Sequence, residues 1–396
     1  MKEYKFRKII LHDPILLIFF LFLFINFASY LTATLFGVTL VPLRIAFLTI
    51  LMLLLVKAVL QFQTIDKIKN KYLFLFLFFY TISFIVNLND SDPFFFFSVF
   101  FSLITFSLFI EYLDIHYSIV GKLILLDIIF YSLLIFPILL ILNPWYISLN
   151  LYGSNAIESI GLKSRYLGWS CAIIYGILLF KIKKRNAHWP NKVLIFVLFF
   201  FVIISGSRSS LLSILLVTLF YFMQQRNKIK YIIIILLTVG FSGILFSSQI
   251  GSYYKKVSFL QRQEKKEIGL SDESYRGDIL IDALTMSWEN LNGFIFGFGP
   301  GEFKETLSKY YVKYRYNELS SHNTYLEVFI TSGVLSFISF FFLYVVFPLK
   351  SFYFKKKELL YVFMPVVLIA ATEDNFGLGQ FLFVIFSLLA FYSYKI

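Results

Sequence analysis

The fold is decided by residues 320–347, which read SSHNTYLEVFITSGVLSFISFFFLYVVF. A polar segment ends here and an apolar run begins, with an imidazole and a carboxamide, His322 and Asn323, at the junction. An apolar run of about twenty residues is long enough to cross the hydrocarbon core of a membrane as an α-helix. An ionisable group at the mouth of a membrane bundle is costly to keep there, so His322 is a candidate functional residue. Histidine titrates near neutral pH, which suits it to take a proton from a hydroxyl group.

Composition extends the membrane assignment to the whole chain. Of its 396 residues, 59% are hydrophobic and 52 are phenylalanine, which is more apolar surface than a water-soluble domain can bury. Long, nearly uncharged runs recur along the sequence and predict an all-α integral membrane protein, a polytopic bundle of about 12 transmembrane helices. The predicted spans are 14–34, 39–60, 72–88, 94–113, 122–142, 165–181, 192–206, 208–223, 231–248, 322–347, 359–372 and 376–394.

The distribution of charge orients these spans. The net charge is +13, but the basic residues stand in short loops rather than on one extended patch, which argues against nucleic-acid binding. With the N-terminus in the cytoplasm, every basic cluster falls on the cytoplasmic side, as the positive-inside rule requires. Both termini are then cytoplasmic, and the longest loop faces outward. The clusters are Lys2, Lys5, Arg7 and Lys8; Lys67, Lys69 and Lys71; Lys181, Lys183, Lys184 and Arg185; Arg226, Lys228 and Lys230; and Lys355, Lys356 and Lys357.

The chain divides into three parts: nine spans in 1–248, an outer-face loop in 249–321, and three spans in 322–396. The loop is expected to be partly helical, periplasmic or extracellular, and amphipathic, with Leu280, Leu284 and Trp288 on the face that rests on the membrane surface. A glycine-rich turn follows at 297–301.

Three tyrosines come next in the same loop, in a segment predicted to be helical. Tyr310, Tyr311 and Tyr314 offer flat aromatic faces on which sugars can stack. The alternative, which explains these tyrosines equally well, is an aromatic belt at the membrane–water interface.

Three outer-side arginines are candidates for holding an anionic group. Arg208 stands in Ser205–Ser210, a serine-rich turn between two short apolar runs, where a guanidinium can bind phosphate oxygens in bidentate fashion. Arg165 opens the sixth span, and Arg276 begins the amphipathic helix of the loop. The alternatives are headgroup anchoring for Arg208 and Arg165 and an ordinary surface ion pair for Arg276.

His322 and Asn323 also have a structural alternative, since either can cap the helix that follows. On an ideal helix Gly333 lies about 20° from His322, which predicts that another helix or a lipid chain approaches there. Glu327 points elsewhere and is expected to pair with a buried group.

Other chemistries have no support in the sequence. The only cysteine, Cys171, lies inside an apolar span, and no ligand spacing suggests a metal site. The glycine-rich nucleotide loop is missing too, so we expect neither a metal nor another cofactor. A base and several arginines at the outer surface suit a lipid donor that carries a diphosphate and an acceptor that carries a hydroxyl.

These residues resemble the bacterial O-antigen ligase/polymerase family of membrane glycosyltransferases. The likeness covers roughly residues 160–380 and rests on four ordered segments. The sequence departs from the family pattern at Trp169–Cys171, where Pro-Asn is common, and at Thr331–Ser332, where an acidic residue often precedes the glycine. The four segments are Arg165–Gly168, Gly206–Ser209, Ser274–Arg276 with the turn Phe296–Gly301, and Ser321–Glu327 with Gly333.

The resemblance implies a GT-C-like bundle in the bacterial inner membrane and a metal-independent, inverting transfer of glycan from undecaprenyl diphosphate. His322 would be the base, the arginines would hold the diphosphate, and Asn323 would orient the base or the acceptor. A polymerase of O-antigen or capsule is favoured, and a ligase acting on lipid A core, in lipopolysaccharide assembly, is the alternative. Whether a chain-length regulator binds stays open. A flippase for lipid-linked oligosaccharides is a further alternative, although its charges should lie on both sides of the membrane midplane.

Overall fold

The computed structural model describes residues 6–36, 41–61, 70–117, 120–142, 164–185, 189–205, 207–225, 272–301, 323–372 and 381–395. These residues are about 90% helical and contain no strand, which confirms an all-α membrane protein.

The helices follow the apolar runs of the sequence. In chain order they are α1 Phe6–His12, α2 Pro14–Phe36, α3 Val41–Gln61, α4 Lys71–Val86, α5 Pro93–Tyr117, α6 Gly121–Leu133, α7 Ile135–Leu142, α8 Ser164–Arg185, α9 Trp189–Ser205, α10 Arg208–Met223, α11 Asp272–Glu289, α12 Leu291–Phe296, α13 Thr324–Phe341, α14 Phe347–Lys355, α15 Leu360–Ala370 and α16 Phe381–Tyr392. A π-helical turn, Phe342–Val346, joins α13 to α14, and short 3₁₀ turns stand at Lys357–Leu359 and Ser393–Lys395.

Four stretches of the described chain are long and apolar enough to cross a membrane. They are Pro93–Tyr117, Gly121–Ile138, Tyr166–Lys183 and Thr324–Lys355. Shorter apolar helices lie in the predicted spans 14–34, 72–88, 192–206, 208–223 and 376–394. Helices α3 and α15 lie in the predicted spans 39–60 and 359–372, and 231–248 lies outside the described residues. The structure therefore establishes the membrane character of the bundle, and the count of twelve spans remains a prediction.

The bundle has two ends, which are named here by the residues that they carry. The basic end carries Lys71 at the start of α4 and Lys395 after α16, which forms an ion pair with Glu111 of α5. The opposite end, here called the loop end, carries the Asn87–Asp92 turn, the Gly297–Gly301 loop and the start of α13. A backbone hydrogen bond of 2.8 Å from Asp92 N to Pro300 O joins the first two of these. The positive-inside pattern predicts that the loop end faces outward.

Candidate active site

Helix α13 begins at the loop end with a side-chain cap. The Oδ1 atom of Asn323 accepts hydrogen bonds from the backbone N–H groups of Tyr325, at 2.9 Å, and Leu326, at 3.1 Å. An N-cap asparagine satisfies amide donors that the first turn of a helix leaves without partners. The oxygen of Asn323 therefore fixes the start of α13 directly after His322, which lies outside the described residues.

Helix α13 is broken at Gly333, which has φ +79° and ψ 172°. The predicted position of Gly333 relative to His322 stays a prediction, since His322 lies outside the described residues. The prediction that another helix approaches Gly333 is confirmed, because the end of α12 at Ile295 and the glycine-rich loop after it meet Gly333. A Cβ atom added at Gly333 would lie 2.3 Å from the carbonyl oxygen of Ile295 and 2.5 Å from the amide nitrogen of Gly297.

The glycine-rich loop occupies the break. The N–H of Phe298 donates to the carbonyl oxygen of Ile330, and the N–H of Gly299 donates to that of Thr331, both at 3.0 Å. In an unbroken helix these carbonyls would bond to residues 334 and 335. Gly297 and Gly299 both have positive φ, 77° and 103°, which glycine adopts readily. The outer loop is thus tied to α13 by its backbone.

Helix α4 is hydrogen-bonded to α13, and the turn after α4 is hydrogen-bonded to the glycine-rich loop. The hydroxyl of Ser83 donates to Thr331 O at 3.3 Å, and Nδ2 of Asn87 donates to Gly297 O at 3.2 Å. The sequence analysis missed this contribution from residues 71–92. The signal was available in Asn87–Pro93, a run of Asn, Asp, Ser and Pro between two apolar segments, but nothing in the sequence indicated its partner.

Helix α11 packs on the first turns of α13 through an apolar cluster. The cluster consists of Ala283, Met286, Phe298, Leu326 and Ile330. Arg276 precedes Ala283 by seven residues, or two turns, so the two positions lie on the same face of α11.

The other face of α11 carries exposed apolar residues. Leu280, Leu284 and Trp288 are exposed to 42%, 45% and 80%, in keeping with the predicted contact between this face and the membrane surface. The contact itself remains a prediction.

At the loop end the start of α8, which bears Arg165, packs against the serine turn that precedes α10 and Arg208. An added Cβ at Gly168 of α8 would lie 2.6 Å from the Oγ of Ser205, 2.6 Å from the Cβ of Ser207 and 3.1 Å from the Oγ of Ser210. The turn itself is tied by a hydrogen bond of 2.8 Å between the hydroxyls of Ser207 and Ser210. Only glycine allows α8 to approach the serine turn this closely, so Gly168 sets the spacing between the starts of α8 and α10.

We expect Gly168→Ala to reduce activity and to destabilise the bundle by about 1–3 kcal/mol, the usual cost of overpacking a tight contact. Thermal unfolding of the purified protein and glycan synthesis in cells would measure the two effects. Ser170→Ala is the matched control, because its hydroxyl donates only within α8, to Tyr166 O at 2.7 Å. Equal behaviour of the two variants would show that the Gly168 contact has no such role.

Helix α15 connects α8 and α10 to α13. It packs against both α8 and α10, and the hydroxyl of Tyr325 in α13 donates to its Val367 O at 3.3 Å. The starts of α8, α10 and α13 therefore lie around one end of α15.

The predicted site residues are described to different extents. Asn323 is described in full. For Arg165, Arg208 and Arg276 the structure describes only the helix to which each belongs, which is α8, α10 and α11 in turn. His322 also lies outside the described residues, as do the three candidate sugar-stacking residues Tyr310, Tyr311 and Tyr314.

Two further charged residues, Arg44 and Glu327, have described surroundings. The Nη1 of Arg44 donates to Oδ1 of the buried Asn26 at 3.3 Å, so this arginine joins α3 to α2. Glu327 is buried, at 8% exposed, and lies near enough to Tyr80 of α4 to interact with it electrostatically.

The segment that carries these contacts is the one that matches a known family. Residues 193–341 match the family described as O-antigen ligase. Over this segment the chain is similar to that O-antigen ligase family. No curated protein matches the chain. The matched segment covers a little over a third of the chain and runs from α9 through the serine turn and the outer loop to the end of α13.

Proposed function

We propose that the chain is a polysaccharide polymerase. It transfers glycan from undecaprenyl diphosphate to the next lipid-linked repeat unit at the outer face of the cytoplasmic membrane. The similarity of residues 193–341 to the O-antigen ligase family supports the reaction class. One observation carries the placement of the site: the outer loop is hydrogen-bonded into the break at Gly333, which ties the segment bearing Arg276 to the start of α13 after His322.

In the proposed mechanism His322 takes the proton of the acceptor hydroxyl as that oxygen attacks the anomeric carbon of the donor. A carbon–oxygen bond forms on one face of the sugar, and the bond to the diphosphate oxygen breaks on the other, so the configuration inverts. The departing diphosphate gains negative charge, which Arg208 and Arg276, with Arg165, would neutralise. The packing of Gly168 on the serine turn supports a shared role for two of these arginine segments.

The alternative acceptor is the final one, lipid A core or an equivalent. The description of the matching family, O-antigen ligase, favours this reading. Both reactions would use the same base and the same diphosphate-binding arginines. The difference lies in the acceptor, which would enter from the outer surface.

Deletion of the gene, with complementation by the wild-type chain, tests the proposal. Surface glycan and lipid-linked glycan would both be resolved by size. A polymerase predicts single repeat units on the normal final acceptor after deletion. Long polymer retained on undecaprenyl diphosphate would instead identify a ligase. Unchanged surface glycan would contradict both.

We expect Arg208→Lys to reduce glycan transfer by about tenfold or more, because one ammonium cannot reproduce the bidentate contact of a guanidinium with a diphosphate. The rate of polymer formation in membranes, at matched protein level, measures the loss. Arg44→Lys is the control, since an ammonium can also donate to Asn26. Equal activity of both variants would remove Arg208 from the diphosphate site.

A further inference from the structure

Helices α4 and α5 form a hairpin. In the part of the chain that the structure describes, the two helices make ring contacts near the loop end. There the ring of Phe96 stacks on Phe84 at 4.1 Å and on Tyr80 at 5.2 Å between centroids. Toward the basic end the two helices are separated by a cavity of about 420 Å³.

This cavity is an apolar groove along the hairpin. Its floor and walls come from Leu73 and Leu77 on α4 and from Phe100, Ile104 and Leu108 on α5. The groove extends from Leu73 to Thr81, about 12 Å along α4, which is most of the ~15 Å depth of one membrane leaflet. At its edge Phe74 and Phe78 are exposed, so the groove opens toward the surrounding lipid.

A second cavity, of about 220 Å³, lies at the basic end of the same hairpin and has a mixed lining of apolar and charged side chains; it is called the polar cavity below, because the groove has almost no polar lining. Asn70 and Lys71 line it from the start of α4, Glu111 from α5, and Tyr394 and Lys395 from the end of the chain. Glu111 is 2% exposed, and one of its oxygens is paired with Lys395. Its other oxygen, Oε1, and the hydroxyl of Tyr394 are buried and have no hydrogen-bond partner within the described residues.

Ser107 of α5 lines both cavities. The polar cavity and the apolar groove therefore adjoin, and together they have the shape of one amphiphile with a small head and a chain. We propose that they bind an ethanolamine phospholipid from the leaflet at the basic end. Its phosphate would lie at Lys71, its ammonium at Oε1 of Glu111, and one acyl chain in the groove.

The charges select this head group over an anionic one. A buried carboxylate oxygen without a donor is costly, and an ammonium group supplies both the donor and the opposite charge. A phosphatidylglycerol head has no cation to offer Glu111. A polyisoprenyl diphosphate would bring more negative charge to the same carboxylate.

The site is separate from the one proposed for glycan transfer, because it opens at the basic end of the bundle while the candidate active site is at the loop end. Lipid binding here does not depend on the proposed function. A bound phospholipid would fill the gap that the diverging helices leave, and so would support α4, whose other end is hydrogen-bonded to α13 through Ser83 and is followed by Asn87, which donates to the glycine-rich loop.

Native mass spectrometry of the full chain, purified and exposed to vesicles of defined lipids, tests the proposal. We expect the wild type to retain one phosphatidylethanolamine in preference to phosphatidylglycerol. Lys71→Gln should lower that retention about fivefold, the value of one lysine near a lipid phosphate. Lys357→Gln is the matched control, because both lysines lie over a tyrosine ring at the basic end, but Lys357 is not among the lining residues. It should retain lipid like the wild type.

Two further variants test the head and the chain separately. Glu111→Gln should remove the preference for the ethanolamine head, and Ser107→Leu should lower retention of either lipid by filling the junction. Thermal unfolding would verify that each variant is folded. If the substitutions of the buried residues Glu111 and Ser107 prevent folding, Lys71→Gln still tests the proposal. Retention without head-group preference in the wild type, equal loss in the two lysine variants, or preferential retention of undecaprenyl phosphate would overturn the assignment.

Discussion

The His322→Ala protein is expected to reach the membrane at the wild-type level and to form no detectable polymer. Loss of a general base lowers rates by about 10²–10⁴-fold, and no other histidine stands near this end of the sequence to replace it. Size-resolved surface glycan from the complemented deletion strain would show single repeat units for a polymerase. Protein level, measured on the same membranes, separates a chemical defect from a folding defect.

His116→Ala is the control for removal of an imidazole. His116 lies near the end of α5 at the basic end, exposed and in ring contact with Tyr112 at 4.4 Å, far along the bundle from the start of α13. Normal polymer in this variant and none in His322→Ala would support the assigned base. Normal glycan in both would refute the role of His322 and bring the transporter alternative forward.

The second large effect is expected at the break in α13. Gly333→Ala places a Cβ 2.3 Å from Ile295 O at a residue with φ +79°, so it combines a backbone clash with a strained conformation. The glycine-rich loop cannot then remain bonded to Ile330 and Thr331. We expect loss of activity together with faster proteolysis of the outer loop, measured by limited digestion in membranes.

Gly301→Ala is the matched control within the same loop. The nearest atoms to an added Cβ there belong to Asp92, at 3.9 Å, which is an ordinary van der Waals distance. This variant should digest and function like the wild type, whereas Gly297→Ala, with a Cβ 2.5 Å from Ser332 N, should behave like Gly333→Ala. Full activity of Gly333→Ala would show that docking of the loop is dispensable.

Prediction from the sequence succeeded for features that depend only on residues close together in the chain. The apolar runs predicted the helices because every backbone group in a membrane must bond within its own segment. The capping role of Asn323, one of two readings, is visible in a single turn of chain. The pattern of Leu280, Leu284 and Trp288 predicted an exposed apolar face on α11, and these three side chains are exposed.

The misses concern contacts between distant parts of the chain. Gly333 was recognised as a small residue, but a wheel drawn on an ideal helix could not show that its φ is positive or that residue 297 fills the gap. Ser83 and Asn87 stand 248 and 210 residues before their hydrogen-bond partners, Thr331 of α13 and Gly297 of the loop. No local pattern carries information at that range.

The sequence by itself determined the membrane class, the helical segments, the predicted orientation and the similarity of residues 193–341 to the O-antigen ligase family, because hydropathy, charge and short motifs are local properties of the chain. The tertiary structure alone decided that α4 and the outer loop complete the end of the bundle where α13 begins. It alone placed Gly168 against the serine turn, and joined a polar cavity to an apolar groove at Ser107. These features depend on close approach between backbones, which is set by how whole helices pack rather than by any one segment.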